Sequence, residues 1–180
     1  FSLYKDGKKK EEGTFKDGER DGLWTWWNVD GGTDSTGSYK KGLMHGEWEF
    51  YFSNGNLKGK GQYRDGNGTN RGNTGISRHG RHGKWTFWRE NGQKKSEGTY
   101  IHGKHEGMWT VWYENGQKEW EQTYKDGKLD GLVTDWYENG QKSREGNYKD
   151  DKEDGLWIWW LNNGQKIIEG SYKDGEVIFR

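Results

Sequence analysis

The chain is built from a unit of 24 residues that repeats along almost its whole length, and this repeat constrains the fold more than any other feature. Residues 107–130 are the clearest copy, which begins GMWTVWYENGQK. A second glycine follows the opening glycine of each copy nine residues later. The opening glycines are Gly22, Gly46, Gly83, Gly107, Gly131 and Gly155. A fixed period indicates stacked copies of one supersecondary unit, so the fold follows from a single copy.

Each copy has the pattern of a β-hairpin. Apolar residues alternate with polar ones before Asn115-Gly116, and a second extended run, 117–124, follows. Asn-Gly between two such runs predicts a two-residue type I′ turn, and Asp126-Gly127 predicts a longer turn into the next copy. The expected fold is all-β: an elongated, solenoid-like, single-layer antiparallel meander of tandem hairpins, with about fourteen strands and no helix.

The repeat predicts one domain, residues 1–180, with one irregularity. The spacing of the opening glycines rises from 24 to 37 residues between Gly46 and Gly83, which places an insert at about 64–78. Its glycine-rich sequence predicts a flexible loop rather than a phosphate-binding loop, because neither a helix nor a lysine-serine pair follows. A short terminal strand is expected at 176–180. The predicted hairpins are 1–15, 22–39, 46–63, 83–100, 107–124, 131–148 and 155–172.

The predicted register assigns the aromatic residues to two faces of the sheet. A two-residue loop places Tyr124 opposite Gly107, and the same arithmetic in an earlier copy places Trp24 opposite Gly37. A ring opposite glycine can lie flat across the neighbouring backbone, so this face is expected to be the packed one. The other face carries one aromatic residue per hairpin: Trp27, Tyr51, Trp88, Trp112, Trp136 and Trp160.

This aromatic row is the candidate binding surface. Alternate strands lie about 10 Å apart, so the rings would be regularly spaced. The alternative is that lysine and glutamate stems from adjacent strands simply cover each ring. Both interpretations remain open at the level of the sequence.

Composition excludes several classes of function. The 29 basic and 29 acidic residues balance, which argues against a nucleic-acid partner and disfavours a role at a membrane surface. Aliphatic residues are scarce, but 13 Trp and 10 Tyr can supply the packing. The sequence has no cysteine, no G-x-S-x-G and no H-E-x-x-H, so neither catalysis nor a cofactor is expected.

Histidines and aspartates concentrate in the turns between hairpins. Imidazoles gathered by stacking of these turns could bind Zn²⁺, Ni²⁺ or Cu²⁺. Equivalent positions elsewhere hold Asp, Leu or Lys, so solvated turn residues are the alternative. The candidate metal ligands are His79, His82, His102 and His105. The recurring Asp-Gly pairs could hold Ca²⁺, although they are also ordinary turn chemistry.

The pattern G-x-W-T-x-W-Y-E-N-G-Q-K-x-x-E-G-x-Y-K-D-G-K-x-D resembles the MORN repeat (membrane occupation and recognition nexus), specifically its bacterial variant. The resemblance covers nearly the entire chain and is strongest from Gly83 onward. Residues 31–34, Val133 and Asp135 depart from the pattern. The resemblance implies an interaction module used for scaffolding, dimerisation or membrane-proximal organisation, and it names no catalytic residues. Some bacterial members are labelled antitoxins.

The two ends of the chain are predicted to present open strand edges. Such edges invite pairing with another chain, which predicts head-to-tail assembly into a filament or continuation into a longer chain. The candidate edge residues are Phe1, Leu3, Tyr4, Val177, Ile178 and Phe179.

The sequence therefore favours a non-enzymatic repeat scaffold that binds a protein partner, or itself as a head-to-tail oligomer, through sheet faces and strand edges. The first alternative is a glycan or cell-surface binding module, because planar aromatic rings suit sugar rings. The second is an antitoxin or immunity-type protein that neutralises a partner toxin. A bacterial protein is expected, either cytoplasmic or at the cell surface or secreted.

Overall fold

A computed structural model describes residues 1–70 and 74–179 of the chain, so residues 71–73 of the predicted insert and Arg180 of the predicted terminal strand lie outside the described residues. The described residues form an all-β structure without an α-helix, in which the strands are hydrogen-bonded in chain order as one open antiparallel sheet. This confirms the predicted fold class. The strands are β1 (Ser2–Leu3), β2 (Lys9–Lys16), β3 (Glu19–Trp27), β4 (Thr33–Lys40), β5 (Leu43–Tyr51), β6 (Leu57–Gly66), β7 (Arg81–Trp88), β8 (Lys94–Ile101), β9 (Lys104–Trp112), β10 (Lys118–Lys125), β11 (Lys128–Trp136), β12 (Lys142–Lys149), β13 (Lys152–Trp160), β14 (Lys166–Lys173) and β15 (Glu176–Phe179).

The chain divides into two compact units. The N-terminal unit consists of Phe1–Gln93 with Tyr100–Gly103. The C-terminal unit consists of Lys94–Thr99 with Lys104–Arg180. Both units are made of the same hairpins, so the packing rules below apply to each.

The turns inside the hairpins are not the predicted type I′ turns. In the 107–124 hairpin the Tyr113 N–H donates to the Gln117 carbonyl at 2.8 Å, and the Gly116 N–H donates to the Tyr113 carbonyl at 3.1 Å. Gly116 is left-handed at φ 83°, whereas Asn115 is not. The loop therefore has three residues, a type I turn closed by a left-handed glycine. Asparagine suits this turn because the Asn115 Oδ1 accepts the Gln117 N–H at 2.9 Å.

The two-residue turns occur between the hairpins instead. Asp126 (φ 50°) and Gly127 (φ 87°) are both left-handed and connect Lys125 directly to its partner Lys128, as a type I′ turn requires. The opening glycines are left-handed as well: Gly131, at φ 122°, lies where a bulge interrupts the β10–β11 ladder. Glycine is therefore needed there for backbone geometry.

The predicted strand register is confirmed along most of the described hairpin pairing, but it shifts by one residue next to the turn, where Trp112 pairs with Lys118. The predicted ring contact is wrong. Tyr124 pairs with Gly107, and Trp24 pairs with Gly37. The ring that covers Gly37 nevertheless comes from Trp48 in the following hairpin, since a Cβ on Gly37 would lie 2.1 Å from that indole. Each tryptophan thus folds back over the preceding hairpin rather than over its own.

This Trp-on-Gly contact recurs with one geometry. The Trp48 indole N–H donates to the Ser38 carbonyl at 3.0 Å, so the ring satisfies its one polar group while it shields the backbone. The tryptophans of these pairs are at most 3% exposed. The pairs are Gly13–Trp24, Gly37–Trp48 and Gly61–Trp85 in the N-terminal unit, and Gly98–Trp109 and Gly146–Trp157 in the C-terminal unit. Because each pair joins consecutive hairpins, neighbouring repeats stabilise each other.

We call the face with the Trp-on-Gly contacts the packed face, and the opposite face the row face. On the packed face, the residue four positions before the tryptophan covers the outer side of the indole. The Arg20 guanidinium lies 4.5 Å from the centroid of Trp24, and the His105 ring lies 4.2 Å from that of Trp109. A single sheet thereby obtains a buried aromatic layer without a second sheet.

The described part of the insert packs on the packed face of the N-terminal unit. Ile76 is 1% exposed and Arg81 is also 1% exposed. Arg81 donates through Nη2 to the Ile76 carbonyl at 2.9 Å, through Nε to the Ser77 carbonyl at 2.8 Å, and through Nη1 to the Tyr100 hydroxyl at 2.8 Å. The prediction of a flexible loop was wrong for Ile76 and Ser77, because a buried arginine fixes their carbonyl groups.

Candidate interaction surfaces

In the C-terminal unit the predicted aromatic row lies on the row face, and lysines lie between its rings. Trp112, Trp136 and Trp160 are half-buried. A lysine from the preceding hairpin lies over each ring: Lys118 Nζ is 5.4 Å from the Trp136 centroid, and it also pairs with Glu121 at 2.6 Å. These lysine stems leave the rings partly accessible.

Hydrogen bonds from tyrosine hydroxyls to backbone carbonyls fix the strand ends that carry two of these rings. The Tyr113 hydroxyl donates to the Trp136 carbonyl at 2.7 Å, and the Tyr137 hydroxyl donates to the Trp160 carbonyl at 2.8 Å. The strand ends that carry Trp136 and Trp160 are therefore held by the hairpin before each of them. A regular surface follows from a regular repeat.

The N-terminal unit presents a less uniform row. Trp27 is half-buried, with Lys9 Nζ 5.7 Å from its ring centroid. The Tyr51 hydroxyl donates to Glu49. Burial, together with this carboxylate, raises the pKa of Tyr51 to about 12, so the phenol stays protonated at neutral pH. Trp88 is half-buried.

Sequence reasoning missed a second stripe beside the row in the C-terminal unit. Met108, Leu132 and Leu156 follow the opening glycines, point to the same face as the row, and are 61%, 50% and 50% exposed. Their recurrence every 24 residues is the signal in the sequence that could reveal them. The corresponding positions in the N-terminal unit hold Leu, Glu and Lys. The apolar stripe is therefore a feature of the C-terminal unit.

The four candidate metal-binding histidines are not gathered into one cluster. The His82 and His102 rings are 6.2 Å apart, whereas His79 Nδ1 accepts the Asn67 N–H at 3.3 Å and His105 packs on Trp109. Burial, with smaller contributions from Arg64 and His102, lowers the pKa of His82. In residues 1–70 and 74–179, no group of three or more His, Cys, Asp or Glu side chains could hold a metal ion.

Of the predicted edge residues, Leu3, Val177, Ile178 and Phe179 lie on the outermost strands of the described sheet, and Phe1 and Tyr4 flank β1. Phe1 is 80% exposed and Leu3 is 49% exposed, while the Tyr4 hydroxyl donates to the Trp27 carbonyl at 2.7 Å. At the other end Val177 is 47% exposed and Ile178 is 67% exposed. Phe179 pairs with Ser171 through its backbone, and its side chain lies outside what the structure describes.

The part of the chain that the structure describes contains no helix that could span a membrane.

Comparison with known proteins gives the family. A search of curated proteins returned no match. A family profile described as MORN repeat variant matches residues 44–65, 81–102, 106–126, 129–150 and 153–174. These segments coincide with the hairpins and their turns, and they cover more than half of the chain. The chain belongs to the MORN repeat variant family.

Proposed function

We propose that the chain is a non-enzymatic scaffold that binds protein through the row face of its C-terminal unit, and that a second copy of the chain is one such partner. MORN repeats are generally modules that interact with proteins or membranes, and the repeat itself is non-catalytic. We infer the binding face and its partner from the arrangement of side chains on the C-terminal unit.

The observation that carries the proposal is the exposed apolar stripe of Met108, Leu132 and Leu156. Its members lie on alternate strands, about 10 Å apart. Together with Trp112 and Trp136 they form an exposed apolar surface. Exposed apolar patches on a protein commonly mark an interaction site. A periodic surface suits a partner that is itself extended or periodic.

The packed face is a poor alternative for the same partner. Its tryptophans are buried, and their indole N–H groups are used within the chain, as in the Trp157 donation to the Asn147 carbonyl at 3.1 Å. A partner would have to displace side chains such as Arg144, which lies 5.7 Å from the Trp157 centroid. On the row face, Leu132 and Leu156 are each 50% exposed, so a partner can contact them directly.

The charges on the row face favour a second copy. Each hairpin places a lysine beside a glutamate, as in Lys94–Glu97 at 2.9 Å and Lys118–Glu121 at 2.6 Å. A surface that carries positive and negative charges side by side can pack against the same surface of a second copy across a two-fold axis, with lysine facing glutamate. Two sheets packed in this way would bury both apolar stripes.

Sedimentation velocity over a range of protein concentrations tests the proposal. We expect the wild type to show a concentration-dependent dimer, and the double variant Leu132→Ser, Leu156→Ser to remain monomeric with an unchanged circular dichroism spectrum. Leu161→Ser is the matched control, because Leu161 is 43% exposed but lies in a hairpin turn outside the stripe. A wild type that is monomeric throughout, or a double variant that still dimerises, would contradict self-association through this face.

Assembly through the strand edges is a separate route that the same measurement distinguishes. Ile178 on β15 and Leu3 on β1 expose apolar side chains on the two outermost strands of the described sheet, which is an arrangement that allows strand addition. Head-to-tail growth would give a series of larger species rather than a dimer. The variant Ile178→Lys should abolish that series and leave a face-to-face dimer intact.

A further inference from the structure

The insert and the packed face of the N-terminal unit enclose a cleft of about 290 Å³. Its floor belongs to strands β3 to β5, and Ile76 and Ser77 of the insert form one wall. The 24-residue repeat alone cannot produce this cleft, because the wall belongs to the extra residues between Gly46 and Gly83. The cleft is therefore specific to this region of the chain.

The floor of the cleft is aromatic, and its rings are stacked with nearly parallel planes. Trp26 and Trp48 have centroids 5.5 Å apart and planes inclined by 26°, and Trp48 and Phe50 are 5.8 Å apart and inclined by 22°. Trp48 lies flat on Gly37 of the neighbouring strand and is 2% exposed, so it forms the base of this stack. Trp26 and Phe50 are only half-buried, which leaves part of their faces for a ligand.

Polar groups of both signs surround this floor. Asp34 and Ser35 line one end, and the Ser35 hydroxyl donates to the Asp34 carboxylate at 3.1 Å. Arg20 and Lys58 also line the cleft. Arg20 is held in place by its ion pair with Glu11 at 2.9 Å, so its guanidinium is fixed beside the floor. Fixed donors and acceptors around an apolar floor are typical of a small-ligand site.

We propose that this cleft binds one ring of a neutral saccharide. The C–H groups on one face of a pyranose carry partial positive charge and pack on the negative faces of aromatic rings such as Trp26 and Phe50. The hydroxyl groups around the sugar ring both donate and accept hydrogen bonds, which matches the carboxylate of Asp34 and the cationic groups of Arg20 and Lys58.

Charge selects against other small ligands. Arg20 and Lys58 would repel an organic cation, which the aromatic floor alone would attract. A simple anion would meet the carboxylate of Asp34 and the negative ring faces. An aromatic side chain of a peptide would fill the floor but leave the polar groups around it without hydrogen bonds, which costs free energy. The cleft belongs to the packed face of the N-terminal unit, whereas the proposed scaffold surface belongs to the row face of the C-terminal unit. Either proposal can therefore fail without the other.

The test is a titration of the ¹⁵N-labelled full chain with maltose, cellobiose, lactose and di-N-acetylchitobiose, followed by ¹H–¹⁵N spectra of the tryptophan indoles. We expect at least one sugar to give a saturable shift of the Trp26 indole signal. The Trp26 indole N–H donates to the Glu11 carboxylate at 3.0 Å. The variant Asp34→Asn should weaken binding about fivefold, because it removes a charge-assisted hydrogen bond. Asp30→Asn is the matched control, since Asp30 is an equally exposed carboxylate in the adjacent turn.

Two further measurements fix the site and the ligand class. Trp136→Ala on the row face should leave the affinity unchanged, and N-acetyltryptophanamide should give no saturable shift of Trp26. The proposal is overturned if none of the four sugars shifts Trp26, if Asp34→Asn and Asp30→Asn bind equally well, if Trp136→Ala abolishes binding, or if the tryptophan amide binds in place of the sugars.

Discussion

Trp157 and Trp160 lie on the same strand, β13, but they have opposite surroundings. Trp157 is fully buried on the packed face, where its ring covers Gly146 and its indole N–H donates to the Asn147 carbonyl. Trp160 is half-buried on the row face, with Lys142 Nζ 5.9 Å from its ring centroid. The first ring lies between the Gly146 backbone and the Tyr148 and Trp159 rings, whereas the second is covered by a lysine side chain that can move away.

The difference shows that composition alone does not assign a role to a tryptophan in this chain. What distinguishes the two rings is the residue of the preceding hairpin that each ring contacts, Gly146 for Trp157 and Lys142 for Trp160. A glycine there allows the ring to lie on the backbone and makes it part of the folded core. A lysine there leaves the ring partly accessible, and such a ring is available for binding.

The largest expected effect comes from removing the two rings in turn. Trp157→Ala should lower the free energy of unfolding by about 4 kcal/mol, because it removes a fully buried aromatic side chain and leaves a cavity. Trp160→Ala should cost about 1 kcal/mol, since that ring is only partly buried. Urea unfolding followed by circular dichroism measures both, and equal losses would show that the two faces do not differ in this way.

A methyl group on the glycine under Trp157 should have the next largest effect. A Cβ at Gly146 would lie 2.1 Å from the Trp157 ring, so Gly146→Ala should destabilise the chain by about 3 kcal/mol through overpacking. The equivalent position in the preceding repeat is Gln122, and Gln122→Ala serves as the control, with an expected loss below about 1 kcal/mol. Urea midpoints of the two variants check this. A Gly146→Ala protein as stable as the wild type would show that the ring moves aside without cost.

Gln122 and Val133 occupy the positions that hold glycine and tryptophan in the Trp-on-Gly pairs, so they sharpen the comparison within the C-terminal unit. Val133 is fully buried opposite Gln122, whose Oε1 accepts the Tyr124 hydroxyl at 2.7 Å. Val133→Trp alone should be destabilising because Gln122 occupies the space of the ring. The double variant Gln122→Gly, Val133→Trp should recover about 1–2 kcal/mol of coupling energy in a double-mutant cycle. Strictly additive effects would mean that the two positions are independent.

On the row face, where ion pairs replace packing, a smaller effect depends on pH. Hydrogen bonds from Lys60, at 2.8 Å, and from Tyr51 hold the pKa of Glu49 below its ordinary value of 4.5. A carboxylate with a lowered pKa stabilises the fold fully above pH 4.5, and this contribution is lost as the pH falls through the lowered pKa. Wild type should therefore lose a few tenths of a kcal/mol relative to Glu49→Gln below pH 4.5, as measured by thermal unfolding across that range. A constant difference between the two proteins at all pH values would contradict this.

The regular part of the fold could be predicted from the sequence because glycine recurs at fixed offsets. The spacing gives the hairpins, their register and the two faces, so Tyr124 opposite Gly107 is predicted correctly. The turn type is not, because Asn115-Gly116 suits both a type I′ turn and a three-residue turn with glycine in the left-handed position. The ring direction is not predictable either, since alternation gives the face of Trp48 but not the neighbour over which its side chain folds.

The candidate sites were harder to predict because they depend on contacts outside the repeat. Arg81 looks like an ordinary charged residue near a turn, yet it is buried and bonds to the carbonyl groups of Ile76 and Ser77. No local pattern signals this, because the acceptors are backbone atoms of the insert. The aromatic row followed from alternation, whereas the exposed stripe of Leu132 and Leu156 needed a comparison of aliphatic residues between copies.

Hydrogen exchange of the indole N–H groups tests the central claim most directly, namely that the packed face is the core and the row face is open. The experiment follows the indole signals in ¹H–¹⁵N spectra after transfer to D₂O, with Trp157→Phe and Trp160→Phe for assignment. The Trp157 signal should persist as long as the most protected backbone amides, because its exchange requires unfolding. The Trp160 signal should disappear early. Equal protection of the two indoles, or faster exchange at Trp157, would contradict the assignment of the faces.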